Sequence, residues 1–186
     1  MSQKIYTKTG DEGFTSLLGG TKIYKSDLRI DSYGNVDELN SYIGLISDYI
    51  TDKEIKTILQ TLQNKLFVIG SSLAQDNSKQ IKIELPQLIE ADVQMLENEI
   101  DKMNVDLPDL KHFILPGGHI LVSCIHIARS VCRRAERGCV SLKEQGGFVE
   151  PITLKFLNRL SDYLFVLARF IGKELGVEEV IWKVRY

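Results

Sequence analysis

Ala128-Arg129-Ser130-Val131-Cys132-Arg133-Arg134-Ala135-Glu136-Arg137 reads as a helix whose two sides have different tasks. Ala128, Val131, Cys132 and Ala135 are small and apolar, and they follow the apolar run Ile120-Leu121-Val122-Ser123-Cys124-Ile125, so most of the helix belongs inside. Arg129, Arg133 and Arg137 fall at i, i+4 and i+8 on one face, about 6 Å apart per turn. Stacked guanidiniums repel one another, and they are tolerated only where solvent, carboxylates or a polyanion neutralise them. A solvated basic face is the ordinary reading of an arginine cluster. On a helix that is otherwise mostly buried, a polyanion site becomes the reading to test.

Outward from this stretch the pattern is helical almost throughout. The first helix is expected from Asp31 to Ile50, with Val36, Leu39, Tyr42, Ile43 and Ile46 facing inward. The second opens near Thr51-Asp52 and carries Ile55, Ile58, Leu59, Leu62, Leu66, Ile69 and Leu73. The third starts at Pro86 and holds Leu88, Ile89, Val93, Leu96 and Ile100 beneath an acidic surface. The fourth spans Gly118 to Glu144 before Gly146-Gly147, and the fifth runs from Pro151 to Gly176. Helix five is apolar on most sides, which demands a central position or a subunit interface. Strand signals are nearly absent, although Lys4-Ile5-Tyr6-Thr7 suits an extended start and Val180-Ile181-Trp182-Lys183-Val184 alternates weakly. The expectation is an all-α, five-helix bundle with a glycine-rich N-terminal nucleotide-binding loop, forming a single domain over 1–186.

With 44% hydrophobic residues in 186, the chain has enough apolar surface for a substantial core. Its net charge of −2 argues against a globally basic nucleic-acid binder. The charge is uneven, however: Asp48 to Leu110 carries a balance of −6 and His119 to Gln145 one of +3. A local positive site on an acidic body suits a small anionic ligand. Cys124, Cys132 and Cys139, eight and seven residues apart on one helix, read as reduced core residues that cannot bridge each other. With no signal core at Met1-Ser2-Gln3-Lys4 and no apolar run long enough to span a membrane, a cytoplasmic protein is expected.

Chemistry is sparse. The segment Tyr6-Thr7-Lys8-Thr9-Gly10-Asp11-Glu12-Gly13-Phe14-Thr15-Ser16-Leu17-Leu18-Gly19-Gly20 has the glycines, hydroxyls and lysine that wrap N–H groups around phosphate oxygens. It matches neither a Walker A loop nor G-x-G-x-x-G. Alone it is an ordinary terminus more often than a ligand site. Beside the arginine helix, Lys8 and the loop amides could hold one end of a triphosphate while Arg133 neutralises the other. Asn158 and Asp162, with Arg159, interrupt the apolar helix five, and they read equally well as a network with the helix-four arginines or as ligand contacts. Asp37 and Asn40, near Gly34, raise the same question, with an arginine as the expected partner of Asp37. Lys111-His112-Phe113-Ile114-Leu115-Pro116-Gly117-Gly118 has the composition of a fixed loop facing a cavity, although Phe113 by itself reads as core. His112, His119 and His126 lack ligand spacing. A ferritin-like di-iron bundle needs Glu-x-x-His pairs, and the residues three before these histidines are Asp109, Pro116 and Ser123. No Ser-His-Asp or Cys-His set is visible, so an enzyme of this sequence must take its nucleophile from a substrate.

Four blocks in order, Tyr6 to Gly13, Tyr33 to Asn40, Phe113 to Gly118, and Arg133 to Arg137 with Leu157 to Asp162, make the chain resemble the PduO-type ATP:cob(I)alamin adenosyltransferases, or corrinoid adenosyltransferases. The resemblance runs from Tyr6 to about Trp182. It implies a homotrimer with active sites between neighbouring subunits, and transfer of the 5′-deoxyadenosyl group of ATP to Co(I) of cobalamin, giving adenosylcobalamin and triphosphate. It further implies that Thr7, Lys8, Thr9, Gly10, Gly13, Thr15, Ser16, Gly19 and Lys25 hold ATP with Mg2+, completed by Arg133, Glu136 and Asn158. Asp37, Phe113, Arg129 and Asp162 fall to the corrinoid, with Arg133, Arg129, Asp37 and Phe113 carrying the catalysis. In family terms Asp37 pairs with Arg129, and Phe113 helps displace the lower axial base. No direct metal-ligand set is identifiable among side chains. A reductase and an adenosylcobalamin-dependent acceptor enzyme are implied partners. Ser16 stands where some relatives carry a basic residue, a gap that Lys22 or Lys25 could fill. The rival reading is a non-catalytic nucleotide- or corrinoid-binding carrier or sensor; a purely structural bundle would bind neither.

Overall fold

A computed structural model describes residues 4–6, 8–76, 79 and 85–183. Among these residues five helices dominate: α1 (Leu28–Tyr49), α2 (Lys53–Leu73), α3 (Glu90–Asn104), α4 (Ile120–Glu144) and α5 (Pro151–Glu174). They share one hydrophobic core. α4 packs against both α1 and α5, α1 also against α2, and α5 also against α3. The sequence of helix contacts therefore runs α2, α1, α4, α5, α3, with α4 in the middle, and ion pairs from Lys65 to Asp92 and from Lys102 to Glu54 bring α3 back against α2. Ala128, Cys132, Ala135 and Cys139 are wholly buried on α4. The Cys132 thiol reaches the Leu157 carbonyl of α5 at 3.2 Å, so small side chains bring the two backbones together. Of the two placements its composition allowed, a central position or a subunit interface, helix five is largely buried within the chain, with Phe156, Leu160, Tyr163, Leu164 and Leu167 at or near zero exposure.

The helix ends follow local chemistry. Asp27 caps α1 through the Arg29 N–H at 2.8 Å, and Asp52 caps α2 through the Ile55 N–H at 2.9 Å. Helix α1 thus begins three residues before the expected Asp31. Helix α3 begins at Glu90 rather than Pro86, because the Asp92 carboxylate accepts the Ile89 N–H at 2.9 Å and so fixes the first turn. Leu88 is buried ahead of it in extended chain, whereas Ile89, expected inside, is exposed. Helix α4 begins at Ile120 rather than Gly118, since Gly117 and Gly118 hold φ of +149° and +93° and His119 supplies the cap to the Leu121 N–H. At the end of α5, Gly176 at φ +69° closes the helix as the Val177 N–H turns back to the Gly172 carbonyl at 2.8 Å.

Sequence periodicity missed a hairpin. Phe14–Ser16 (β1) and Lys22–Tyr24 (β2) pair antiparallel, with Phe14 opposite Tyr24 and Ser16 opposite Lys22. Strands of three residues are too short to declare a period of two, and the Phe14 and Tyr24 rings, 4.3 Å apart, tie them together. The alternating tail pairs as well: Leu115 N–H donates to the Val180 carbonyl and Trp182 N–H to the Phe113 carbonyl, both at 2.8 Å. Val184, and Thr7 in the expected extended start, lie outside the described residues.

Gly118 is constrained twice, by its positive φ and by a neighbour: a Cβ there would lie 2.2 Å from Val177 Cγ1. Gly118→Ala is expected to cost about 2 kcal/mol or more. That corresponds to a fall of roughly 5 °C in Tm, which differential scanning calorimetry will read; an unchanged Tm would mean that the 113–118 loop yields freely.

Candidate active site

The N-terminal loop folds around a concavity of about 870 Å³ whose walls include Lys8, Thr9, Gly10, Thr15, Ser16 and Lys25, together with Asp11, Glu12, Phe14 and Lys22. Three lysines and three hydroxyls thus face one space. Lys8 holds φ at +60°, a conformation unfavourable for a side-chain-bearing residue. Gly13 and Gly19 lie at +82° and +112°, where glycine alone is unstrained. At Gly10 the space is tight, since a Cβ would sit 3.2 Å from Lys25 Nζ and 3.3 Å from the Phe14 carbonyl. Thr7 lies outside the described residues.

Burial splits the arginine row. Arg129 is half-buried, its guanidinium 6.0 Å from the centre of the Phe165 ring, and its Nε has no hydrogen-bond partner among the described residues. Burial, and then the nearby Arg133, hold the Arg129 pKa below its ordinary value. Arg133 and Arg137 are exposed. Among the described residues of one chain, none of the three pairs with a carboxylate. Arg134, which the sequence reading left without a role, is the neutralised one: it is ion-paired with Glu38 and donates to Asn35 Oδ1 at 2.8 Å. Arg129, Arg134 and Arg137 line a cleft of about 520 Å³ with Glu38, Tyr42 and His126.

On the seam between α4 and α5, Asn158 Nδ2 donates to Glu136 Oε1 at 3.2 Å, with Arg133 on the neighbouring turn. Asp162 accepts from Arg159 at 2.7 Å, and Arg159 also binds Glu97 of α3 at 3.0 Å. Of the two readings of these polar positions, a network with the helix-four arginines is not formed among the described residues. Asn158 meets the acidic member of that helix, and Asp162 meets an arginine of its own.

Asp37 is exposed at the mouth of a mainly apolar slot of about 300 Å³ between α1 and α2, lined also by Tyr33, Gly34, Asn40 and Phe67. Phe67 was not read from the sequence; it falls out of phase with the buried stripe Leu59, Leu62, Leu66, Ile69 and Leu73, and that phase break is the available signal. Phe113, which alone read as core, is instead 78% exposed. It packs edge-on against Trp182 at 6.2 Å. Within one chain the loop concavity, the arginine cleft and the Asp37 slot are separate, and no ion pair joins Asp37 to Arg129 among the described residues.

His126 lies between the arginine cleft and a smaller cavity of about 150 Å³ under the 113–118 loop. It is 5% exposed, and its Nδ1 finds no hydrogen-bond partner among the described residues. Burial, reinforced by Arg129, lowers its pKa. Burial drives the thiols the other way, Cys139 to about 12, so neither Cys132 nor Cys139 is a nucleophile near neutral pH. Among the described residues no group of three His, Cys, Asp or Glu is placed to hold a metal, and no helix is long and apolar enough to cross a membrane.

Fold and cavities together describe an all-α ligand-binding protein with a cationic, polyanion-suited surface and an apolar surface carrying exposed aromatic rings. A family model for cobalamin adenosyltransferase matches residues 5–171. The corrinoid adenosyltransferase of Bacillus subtilis is 42% identical over 181 residues, covering 95% of this chain and 91% of that protein. Its mouse counterpart is 42% identical over 184 residues, covering 97% of this chain and 77% of the mouse protein. A PduO-type ATP:corrinoid adenosyltransferase from Lactobacillus reuteri, a point variant complexed with cobalamin and ATP, superimposes with a TM-score of 0.89 at 36% identity, covering 97% of both chains. The chain belongs to the cobalamin adenosyltransferase family.

Because its folded pKa is depressed, His126 stays neutral in the native state while the unfolded chain takes up a proton below its ordinary value near 6.5. Stability is therefore full above that pH and declines as pH falls from about 7 towards 5. Comparing urea midpoints of the native protein and His126→Gln across this range should show a shallower decline in the variant; parallel curves would remove His126 as the group responsible.

Proposed function

We propose that this chain is an ATP:corrinoid adenosyltransferase, moving the 5′-deoxyadenosyl group of ATP to the cobalt of cobalamin. The observation that carries the reading is the coexistence, on a family fold, of an arginine row without a carboxylate partner among the described residues, a hydroxyl- and lysine-lined loop, and an exposed Phe113. Reduced cobalt supplies an electron pair to the ribose C5′, the C5′–O bond breaks, and triphosphate leaves with that oxygen. No side-chain nucleophile or base is required. The protein's contribution is to hold C5′ in line with the metal and to stabilise charge gathering on the leaving group.

In this reading Lys8, Thr9, Thr15, Ser16, Lys25 and the amides around Gly10, Gly13 and Gly19 grip the phosphates. Arg133, Glu136 and Asn158 complete the nucleotide site. Mg2+ fits here as a companion of ATP: Asp11 and Glu12 offer hard oxygen donors beside the loop, and this ion is commonly held by one or two carboxylates plus substrate phosphates. Bound there, it would neutralise phosphate charge. Asp37, Arg129, Asp162 and Phe113 serve the corrinoid, with Phe113 positioned by its exposure to press on the cobalt's lower face.

The separation of loop and arginines within one chain supports a homotrimer with composite sites, the loop of one subunit facing α4 and α5 of the next. Asp37 would then pair with Arg129 between copies. The full chain acts as one domain in a cytoplasmic setting suited to its three free cysteines. A reductase that supplies Co(I) and an acceptor enzyme that takes the product are the partners this chemistry requires.

Anaerobic incubation with Mg-ATP and chemically reduced cobalamin should give adenosylcobalamin and triphosphate in equal amounts over many turnovers. Binding of both ligands without turnover would favour the carrier or sensor. Arg133→Ala should lose at least about 2 kcal/mol in kcat/KM for ATP, as expected for a charge-assisted phosphate contact; unchanged kinetics would remove Arg133 from the site. Phe113→Ala should slow reaction from Co(II) far more than from pre-reduced Co(I), and equal losses in the two assays would mean that the ring merely supports its loop.

A further inference from the structure

The hairpin that carries much of the phosphate-suited loop is only weakly anchored by apolar contact. None of residues 8–25 belongs to the buried core, and Leu18 at its tip, which edges the apolar slot between α1 and α2, is 41% exposed. A two-stranded hairpin of this length is not stable by itself in water. Its placement leans on polar contacts: Thr15 hydrogen-bonds Tyr33 of α1, and the others gather at the C-terminal end of α2.

There the chain makes a short parallel bridge, Leu18 beside Gln75. Leu18 N–H donates to the Ala74 carbonyl at 2.9 Å, and Asp76 N–H donates to the Leu18 carbonyl at 3.1 Å. The Thr21 hydroxyl donates to the Asp76 carboxylate, which is 7% exposed. Arg29, from the first turn of α1, fixes the other side by donating to the carbonyls of Leu73 and Gln75 at 3.1 and 3.0 Å. That places a cation on the negative end of the α2 dipole. Thr21 is the neighbour of Lys22, whose partner across the hairpin is Ser16, and both Ser16 and Lys22 line the loop concavity. The clamp therefore sits one residue from the groups that face the ligand, without lining the concavity itself.

We infer that Thr21 and Asp76 are positioning residues for the nucleotide: they hold the hairpin at the end of α2 in the conformation that receives the phosphates. A buried carboxylate with a specific hydroxyl partner holds a segment in one place where apolar burial is slight. With the clamp intact the loop is ordered before ATP arrives; without it, ordering is charged against binding. The loss falls on ATP affinity and not on the chemical step, since saturating ATP restores the same bound geometry. The inference rests on the loop concavity being the nucleotide site.

The test is a kinetic split with Thr21→Val, Thr21→Ser, Asp76→Ala and the Thr21→Val/Asp76→Ala double variant, each as the full chain. Thr21→Val should raise KM for ATP about tenfold while kcat at saturating ATP and KM for cobalamin stay within twofold; Thr21→Ser should return to the native value. The double variant should be no worse than Asp76→Ala alone, as expected for one shared interaction. Calorimetric titration with Mg-ATP, without cobalamin, should show the same loss in affinity. An unaltered ATP affinity in Thr21→Val, or equal losses for ATP and cobalamin, overturns the positioning role. Native protein that fails to bind ATP overturns the site reading and the clamp together; native protein that binds ATP without turnover overturns only the transferase reading.

Discussion

Everything in this molecule depends on the close approach of α4 and α5. Both helices carry wholly buried side chains, the small Ala128, Cys132, Ala135 and Cys139 on α4 and Leu157, Leu160 and Leu164 on α5. At Cys132 the thiol touches the backbone of α5 directly. Because α4 also packs on α1, it is enclosed on two sides and can expose only narrow strips. The arginines emerge along those strips. A larger residue at the small positions would drive the helices apart, and Glu136 would lose its hydrogen bond from Asn158. Packing density and ligand geometry are thus one constraint.

The electrostatics follow from that enclosure. Arg134 finds Glu38 on α1 because it emerges where α1 is adjacent. Arg129 is close to aromatic and cationic groups, Phe165, His126 and Arg133, and none of these neutralises it. A half-buried guanidinium without a carboxylate is costly in isolation. It is sensible where an anionic group from elsewhere completes the site, which is how the separate cavities of one chain acquire a common purpose in the proposed trimer. Cobalamin adenosyl transfer suits such a protein, since the metal centre of the substrate provides the nucleophile and the polypeptide mainly arranges charge and distance.

A division of labour runs through the chain. Apolar packing holds the five helices, whereas the phosphate-suited hairpin is held by hydrogen bonds at the end of α2. The Phe113 loop lies between these extremes. Its glycines give it shape, and Leu115 and Trp182 pair it with the tail. Segments held by few directional contacts can be ordered or released at modest cost, and that is the property a site needs when two ligands must enter and products must leave.

The sequence by itself determined the helices, because burial repeats every 3.6 residues over 15 to 25 positions, and capping residues such as Asp52, Pro151 and Gly176 act locally. It also determined which residue types could meet a polyanion, and the ordered blocks were sufficient to suggest the family. Only the tertiary structure decided matters that depend on distance across the chain. Three-residue strands carried too little period to reveal the hairpin. The separation of Arg134 from Arg129, Arg133 and Arg137 depended on α1 placing Glu38 beside one of them. Phe113 and Phe67 were legible as aromatic residues but not as exposed ones, since exposure is fixed by neighbours far away in sequence. Thr21, Asp76 and Arg29 are ordinary polar residues until α2 ends beside the hairpin, and their joint role exists only in three dimensions.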